Sequence, residues 1–315
     1  MKEKRIIFMG TPEFAATILE HLVKNQISIA AVVTVPDKPA GRGQKLAESA
    51  VKKCALQYNL PVLQPVKLKD PEFLEQLAQY NADLFVVIAF RMLPEAVYGM
   101  PPLGTINLHG SLLPQYRGAA PINRAVINGE QETGVTTFFI EKEIDTGEII
   151  QRKSMPIGPN ETAGEVHDRM MHLGAEVTLE TVQAIFENTA KGTPQSAYVE
   201  DELKDAPKIF KQDCKINWNQ TAEAVHNFIR GLSPYPTAWT SWPENGNKTL
   251  KIFKTVLAET GTSETPGKVQ VIEGRLFIAC ATGALEILEL QMEGKKRVPA
   301  KDFINGLQAS ELFWE

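Results

Sequence analysis

Asn107 and His109 stand two residues apart in the apolar segment "TINLHG", and they are the most informative pair of polar side chains in the chain. Because alternate residues of a strand point to the same face, we expect both side chains on one face and Leu108 in the core. An Asn amide can donate a hydrogen bond to a developing oxyanion. An imidazole can do the same, or exchange a proton near neutral pH. The pair therefore predicts a site for acyl transfer.

A carboxylate follows in the next apolar segment, "TTFFIEKEIDTGEII", which ends in a turn at Asp145. If this segment neighbours the strand of His109, the Asp145 carboxylate can reach the ring, polarise it, and help take a proton from an attacking amine. Ser111 lacks a GxSxG setting, so direct transfer between two bound substrates is favoured over a covalent intermediate. An alternative stays open, in which Asn107 and His109 only satisfy loop carbonyls.

The elements that must position these residues alternate between strand and helix. The pattern predicts strands at 4–10, 29–35, 83–90, 104–110 and 133–142, with amphipathic helices at 11–25 and 163–187. Strand–helix–strand units predict a mostly parallel, doubly wound α/β sheet with right-handed crossovers. Open sheets of this kind bind ligands at the carboxyl ends of their strands, which is where Asn107 and His109 lie.

The second part of the chain has a different pattern. A polar segment containing Gly and Pro predicts a linker, and a helix at 222–230 is followed by four short alternating runs with turns rich in Gly, Asn and Pro. Short strands at this spacing predict a small β-barrel. We therefore expect a catalytic domain over 1–188, a linker over 189–207 and a barrel domain over 208–315.

Net charge, cysteine spacing and short motifs argue against several function classes. The net charge of −5 argues against a general nucleic-acid binder but leaves room for a local basic patch. The first strand–helix turn, "GTPEF", has one glycine, whereas a dinucleotide-binding turn needs three, which disfavours a nucleotide-dependent oxidoreductase. The three widely spaced cysteines predict neither disulfides nor a metal site. Without a signal peptide or a membrane-length apolar run, a cytoplasmic protein that does not enter the membrane is expected.

Two segments are locally basic. "VPDKPAGRGQKL" carries Lys38, Arg42 and Lys45, and "GKKRVPAKDF" begins with a cluster of three further cations. Polar, exposed loops of this kind are common, and solvated surface is one interpretation of both. The other is an adaptable basic arm that contacts a polyanion.

The segment from 107 to 150 strongly resembles the core of the formyltransferases that use 10-formyltetrahydrofolate, and "HGSLLPQYRGAAPI" matches the family signature closely. "IIFMGTPEFA", "PDKPAGRG" and "KINWNQTAEAVHNFIRGLSPYPTAWT" are similar to other parts of the family. The resemblance covers essentially the whole chain, and it is strongest to the branch that acts on methionyl-tRNA.

The resemblance implies a formyltransferase domain followed by an OB-like barrel that binds tRNA. It implies catalytic roles for Asn107, His109 and Asp145 and no metal. The folate co-substrate would meet residues on two strand ends, namely Ser111, Leu112, Leu113, Pro114, Ile88 and Phe90. Initiator methionyl-tRNA would meet the basic segments through Lys38, Arg42, Lys45, Lys295, Lys296 and Arg297. Its free amine would attack the formyl carbon carried on folate N10. One departure is Arg91, which stands near a glycine of the family pattern.

Three other functions remain as alternatives at this point. One is a related formyltransferase that acts on a sugar amine or a purine precursor. The second is a hydrolase that releases formate from the same folate. The third is a tRNA-binding protein without catalysis, which the intact set of Asn107, His109 and Asp145 disfavours. A monomer is expected.

Overall fold

The computed structural model describes residues 3–40, 45–199, 202–258, 264–306 and 312–315. The chain forms two compact units, and each is assembled from more than one segment. The first unit takes the residues up to Gly118, Gly134–Met155 and Asp168–Asp205. The second takes Ala119–Thr133, Pro156–His167 and the residues from Ala206 onward.

The first unit is built on a seven-stranded sheet with the order β10-β9-β7-β6-β1-β2-β5. Neighbours from β7 to β5 run parallel, and β9 runs antiparallel to β7. The predicted mostly parallel α/β sheet is therefore confirmed. Its strands are β1 (Ile6–Gly10), β2 (Ile29–Val33), β5 (Val62–Leu63), β6 (Leu84–Ile88), β7 (Thr105–His109), β9 (Glu132–Phe139) and β10 (Ile149–Pro156).

The central strands are buried over their whole length. Every residue of β1 and β6 is buried, which matches their continuous apolar sequences "IIFMG" and "LFVVI" and is typical of parallel strands covered on both faces. The connecting helices are α1 (Glu13–Lys24), α2 (Ala50–Gln57), α3 (Pro71–Gln79) and α4 (Glu95–Tyr98), and α6 (Ala163–Phe186) follows β10. Two short pieces, β3 (Lys38–Ala40) and β4 (Lys45–Ala47), pair antiparallel.

The second unit contains an antiparallel sheet with the order β12-β13-β16-β15-β14-β18, and β17 adds to β16. The four predicted alternating runs form β13 to β16, whereas β12 escaped prediction. The elements are α5 (Pro121–Ile127), α7 (Ala222–Leu232), β12 (Ala238–Trp242), β13 (Lys248–Leu257), β14 (Lys268–Ile272), β15 (Arg275–Ala279), β16 (Ala284–Met292), β17 (Val298–Pro299), α8 (Ala300–Ile304) and β18 (Leu312–Phe313).

One helix supplies much of the core of this second unit. α7 begins at an N-cap where the Thr221 hydroxyl accepts a hydrogen bond from the Ala224 amide at 3.2 Å. Its apolar face, with Val225, Ile229 and Leu232, is buried in one cluster with residues of β13 and β16. The apolar residues recur at helical spacing, so the face that the sequence predicts is the face that packs.

The turn after β1 requires glycine for packing. A Cβ at Gly10 would lie 2.6 Å from the Ala15 Cβ and 3.0 Å from the Ile88 carbonyl oxygen. This glycine therefore lets α1 approach the sheet closely. Packing alone thus explains the single glycine of "GTPEF", and no bound dinucleotide is needed to explain it.

We expect Gly10→Ala to lower the free energy of unfolding by about 1–3 kcal/mol, because the added methyl group overpacks a buried contact between helix and sheet. Thermal and urea unfolding of the intact chain measure the change. Gly306→Ala is the matched control, since its Cβ would only reach the Phe303 carbonyl oxygen at 3.5 Å. Equal stability of the two variants would show that the chain around Gly10 relaxes without cost.

Candidate active site

The site lies where the antiparallel strands β7 and β9 meet. His109 is opposite Thr136 in their register. Leu108 faces helix α6, because a Cβ at Gly174 would come within 2.7 Å of the Leu108 Cδ2. Asn107 and His109 therefore share the other face of β7, as strand alternation predicts. Asn107 is half-buried and His109 is buried.

The His109 ring is fixed by one hydrogen bond to the main chain. Its Nε2 lies 2.8 Å from the carbonyl oxygen of Tyr116. A carbonyl oxygen only accepts, so Nε2 carries a hydrogen and donates. Nδ1 is then the nitrogen that faces the site, and it can donate only when the ring carries a second proton. This geometry therefore limits how His109 can donate to a ligand.

Asp145 supplies the charge beside that nitrogen. Its Oδ2 lies 3.8 Å from the His109 Nδ1 and accepts a hydrogen bond from the Gly118 amide at 3.1 Å. The carboxylate is thus within ion-pair reach of the ring, as the neighbouring strands predict. Asp145 has a φ of 56°, and a Cβ at Gly147 would lie 1.7 Å from the Phe139 carbonyl oxygen. The turn at 145–147 therefore depends on glycine at its third position.

The side-chain amide of Asn107 is available on the same face. No hydrogen bond engages it among the described residues. Two donors, the Asn107 amide and a protonated His109 Nδ1, can thus act beside one carboxylate, Asp145. This arrangement can stabilise a tetrahedral oxyanion and accept a proton from an amine.

A residue that sequence analysis missed holds this turn. The Gln195 Nε2 donates to the carbonyl oxygens of Asp145 at 2.8 Å and Gly147 at 2.9 Å. Its Oε1 accepts from the Arg117 Nε at 3.0 Å and Nη2 at 2.5 Å. Gln195 lies in the segment predicted as a linker, yet it is buried. A glutamine in a polar segment carries no periodic signal, so no sequence pattern could have identified it.

The segment predicted to bind a folate is largely internal. Ser111 and Leu113 are fully buried: the Ser111 Oγ donates to the Gln115 carbonyl oxygen at 2.6 Å, and Leu113 packs with Phe138 and Ile149. Pro114 is also buried, whereas Leu112 is half-exposed. Ser111 and Leu113 therefore shape the segment and present no atom to a ligand in this structure.

The two residues predicted to contact folate at the end of β6 and just after it also differ in burial. Ile88 is buried in β6, whereas Phe90 is half-buried and lies beneath the Arg91 guanidinium, whose carbon is 5.2 Å from the ring centroid. Arg91 donates to the carbonyl oxygens of Pro65 at 2.8 Å and Val66 at 3.0 Å. Arg91 thus connects its own loop to the loop after β5, which gives this arginine, near a glycine of the family pattern, a structural role.

The first basic segment forms the hairpin of β3 and β4. Lys38 is exposed, and it pairs with Ala47 in the hairpin register. Lys45 lies opposite Ala40 in the same register. Arg42 lies outside the described residues. The described part of this basic segment is therefore a short antiparallel hairpin.

The second basic segment lies at the turn between β16 and β17. Lys295, Lys296 and Arg297 are exposed. The Arg297 Nη2 is 2.5 Å from the Glu289 Oε2, and its guanidinium carbon is 4.0 Å from the Phe253 ring centroid. Arg297 is thus partly committed to its own sheet, whereas the two lysines project from the turn.

The second unit also holds an open cleft of about 660 Å³ that the sequence did not reveal. It is lined by Lys208, Lys211 and Lys251, and by the aromatic residues Tyr235 and Trp239. Tyr235 is 82% exposed. Lysines interleaved with accessible aromatic rings are typical of surfaces that bind unpaired nucleotides.

The cysteines do not offer a nucleophile. Cys54, Cys214 and Cys280 are free and buried. Burial raises the pKa of Cys54 to about 11 and that of Cys280 to about 12, and it also raises the pKa of Cys214. Within the described ranges, no group of three or more His, Cys, Asp or Glu side chains could hold a metal ion. No helix in the described part of the chain is long and apolar enough to cross a membrane.

Comparison with known families assigns both parts of the chain. Residues 4–182 match the model of the formyl transferase family, and residues 208–308 match that of the formyl transferase C-terminal domain. A methionyl-tRNA formyltransferase of Bacteroides fragilis is 50% identical over 99% of this chain and 98% of its own length. The same enzyme of Flavobacterium johnsoniae is 47% identical over 99% and 98%.

Solved structures show the same fold at low sequence identity. An N-formyltransferase from Helicobacter canadensis, solved with folinic acid and dTDP-3-aminofucose, is 22% identical with a TM-score of 0.66, over 94% of this chain and all of that one. HypX from Aquifex aeolicus, solved with tetrahydrofolic acid, is 17% identical with a TM-score of 0.65, over all of this chain and 51% of that one.

We expect the native protein to resist iodoacetamide at pH 8, because alkylation needs a thiolate and burial keeps the thiols protonated. Mass spectrometry should find unmodified native protein and three alkylated cysteines after unfolding in urea. Rapid alkylation of one cysteine in the folded protein, with loss of activity, would make a covalent intermediate on that cysteine a candidate mechanism again.

Proposed function

The chain belongs to the formyl transferases and, within them, to the methionyl-tRNA formyltransferases, and we propose that it transfers the formyl group of 10-formyltetrahydrofolate to the free amino group of methionyl-initiator tRNA. The observation that carries the proposal is that Asn107 and His109 share one face of β7, with the Asp145 carboxylate 3.8 Å from the His109 Nδ1. All three lie within the residues that match the family model.

Asn107 and His109 act on the formyl oxygen. Attack of the amine on the formyl carbon converts the carbonyl oxygen to an oxyanion, and donors aimed at that oxygen stabilise the transition state. The Asn107 amide donates as it stands. The His109 Nδ1 donates when both ring nitrogens carry a hydrogen, and it lies 3.8 Å from the Asp145 Oδ2.

Asp145 also serves the amine. An α-amino group has a reference pKa of about 7.7–8.0, so much of it is already neutral near pH 7.5 and needs no strong base. On attack, the nitrogen acquires a positive charge and loses a proton, which Asp145 is placed to accept. Folate N10 takes up a proton as its bond to the formyl carbon breaks, so the transfer is balanced without a cofactor or a covalent enzyme intermediate.

The co-substrate would lie against the strand ends that flank the catalytic set. We assign direct contact to Leu112 and Phe90, which have accessible surface. Ser111, Leu113, Pro114 and Ile88 form the buried wall behind them. Family relatives solved with folinic or tetrahydrofolic acid support a folate at this fold.

The second part of the chain would hold the tRNA. We place catalysis in 1–188 and tRNA binding in 208–315, joined by 189–207, and we infer an OB-like closure of the antiparallel sheet. Its exposed lysines at the turn after β16 and in the cleft of the second unit supply positive charge for phosphates. In the first unit, the hairpin with Lys38, Arg42 and Lys45 would meet the acceptor stem.

We expect Asn107→Ala and His109→Ala each to lower kcat by roughly 100- to 1,000-fold, which is about 3–4 kcal/mol of transition-state stabilisation, because each removes an oxyanion donor. The measurement is formyl transfer from 10-formyltetrahydrofolate to methionyl-initiator tRNA, with methionyl-elongator tRNA beside it. His21→Ala is the control, since this histidine lies in the last turn of α1, away from β7.

The products distinguish the remaining possibilities. Transfer to the initiator tRNA alone, lost in both variants, supports the proposal. Near-normal turnover in one variant would remove that residue from the mechanism. Release of formate, or formylation of a sugar amine with no tRNA product, would overturn the substrate assignment.

We expect the double substitution Lys295→Gln and Lys296→Gln to weaken tRNA binding and to reduce the slope of log affinity against log salt by about 1–2, as each lost phosphate contact contributes about 1. Filter binding between low and high salt measures the slope. Lys24→Gln is the control, because its side chain is 60% exposed on α1. An unchanged slope in the double variant would remove the turn after β16 from the proposed tRNA interface.

A further inference from the structure

The segment that follows α6 contacts two parts of the site, namely the loop that follows His109 and the turn at 145–147. Thr193 and Ile149 exchange two main-chain hydrogen bonds of 2.8 Å, which attach the segment to β10. Further along, the Tyr116 amide donates to the Lys204 carbonyl oxygen at 2.6 Å. Between these two attachments lies the buried Gln195.

Lys204 and Gln195 each hold the main chain that supports one side chain of the site, Lys204 for His109 and Gln195 for Asp145. The Tyr116 main chain is held by Lys204 on its amide side and holds the His109 Nε2 on its carbonyl side. Gln195 holds both carbonyl oxygens of the Asp145 turn. Gln195 and Lys204 thus contact the main chain that supports the two side chains.

Gln195 uses its whole hydrogen-bonding capacity at this place. Its two amide hydrogens go to the turn, and its oxygen takes two hydrogens from Arg117. The adjacent Gly118 amide is the donor to the Asp145 Oδ2. The side-chain amide of Gln195 therefore connects two elements. One is the loop that supplies a donor to Asp145, and the other is the turn that carries Asp145.

Resting on the proposed function, we propose that Gln195 is a positioning residue that sets the distance and angle between the Asp145 carboxylate and the His109 ring. The positive φ of Asp145 makes this support necessary, because a non-glycine residue in the left-handed region returns to ordinary backbone angles when its contacts are removed. The chemistry needs this geometry more than substrate binding does, so the effect falls on kcat.

Gln195→Met tests the inference, since methionine has nearly the same length and volume and forms none of the four hydrogen bonds. We expect kcat to fall on the order of 100-fold, as for catalytic groups displaced by about 1 Å. We expect KM for the folate and for the tRNA to stay within about twofold. Gln151→Met is the matched control, because Gln151 lies on β10 and bonds Glu180 at the surface.

A double-mutant cycle separates positioning from general support of the fold. If Gln195 acts through Asp145, Gln195→Met should lower kcat by less than about threefold in an Asp145→Asn background, because the interaction it serves is already lost. A loss of the same size in both backgrounds would overturn the inference. So would an unchanged kcat in the wild-type background.

A second variant keeps the test valid if Gln195→Met does not fold. Gln195→Glu retains the acceptor for Arg117 and removes the two donors to the turn, and we expect a similar loss of kcat. Full activity in this variant would overturn the inference. Failure of the proposed function would look different, because the unsubstituted chain would then transfer no formyl group to tRNA.

Discussion

The hydrogen bond from the His109 Nε2 to the Tyr116 carbonyl oxygen is the constraint on which the site depends. Because it occupies Nε2, it determines that Nδ1 faces Asp145. A neutral ring would then offer Nδ1 only as an acceptor, with a carboxylate opposite it. His109 can therefore donate to a ligand from Nδ1 only when both ring nitrogens carry a hydrogen, and the carboxylate lies opposite that nitrogen.

The loop that contains Tyr116 is held in place by its buried residues. Ser111, Leu113 and Tyr116 are all buried, so the segment between β7 and α5 behaves as part of the core. A buried loop must satisfy its own polar groups, and here the Ser111 hydroxyl, the Thr136 hydroxyl and the Lys204 carbonyl do so. Of these hydrogen bonds, the one to the Lys204 carbonyl holds the Tyr116 main chain directly, and the Tyr116 carbonyl in turn accepts from His109.

Sequence patterns predicted the parts of the site that depend on periodicity. Asn107 and His109 followed from alternation along one strand, and Asp145 followed from a turn after the next. The burial of Ser111, Leu113 and Ile88 was not predicted, because a residue required for packing and a residue required for binding look alike in a motif. Gln195 was beyond reach, since its partners lie far from it in sequence and its neighbours are polar on both sides. The antiparallel pairing of β7 and β9, which brings Asp145 to His109, is likewise a tertiary fact that no local pattern contains.

Glycine has a complementary role at this site. At Gly147 a side chain would collide with the Phe139 carbonyl oxygen at 1.7 Å, and at Gly174 it would meet Leu108 at 2.7 Å. The first glycine lets the Asp145 turn close against β9, and the second lets α6 press Leu108 from behind. Leu108 lies between Asn107 and His109. The packing of α6 against its side chain therefore fixes the strand that carries both residues. The face of β7 that carries Asn107 and His109 is therefore supported from the opposite face by an apolar contact.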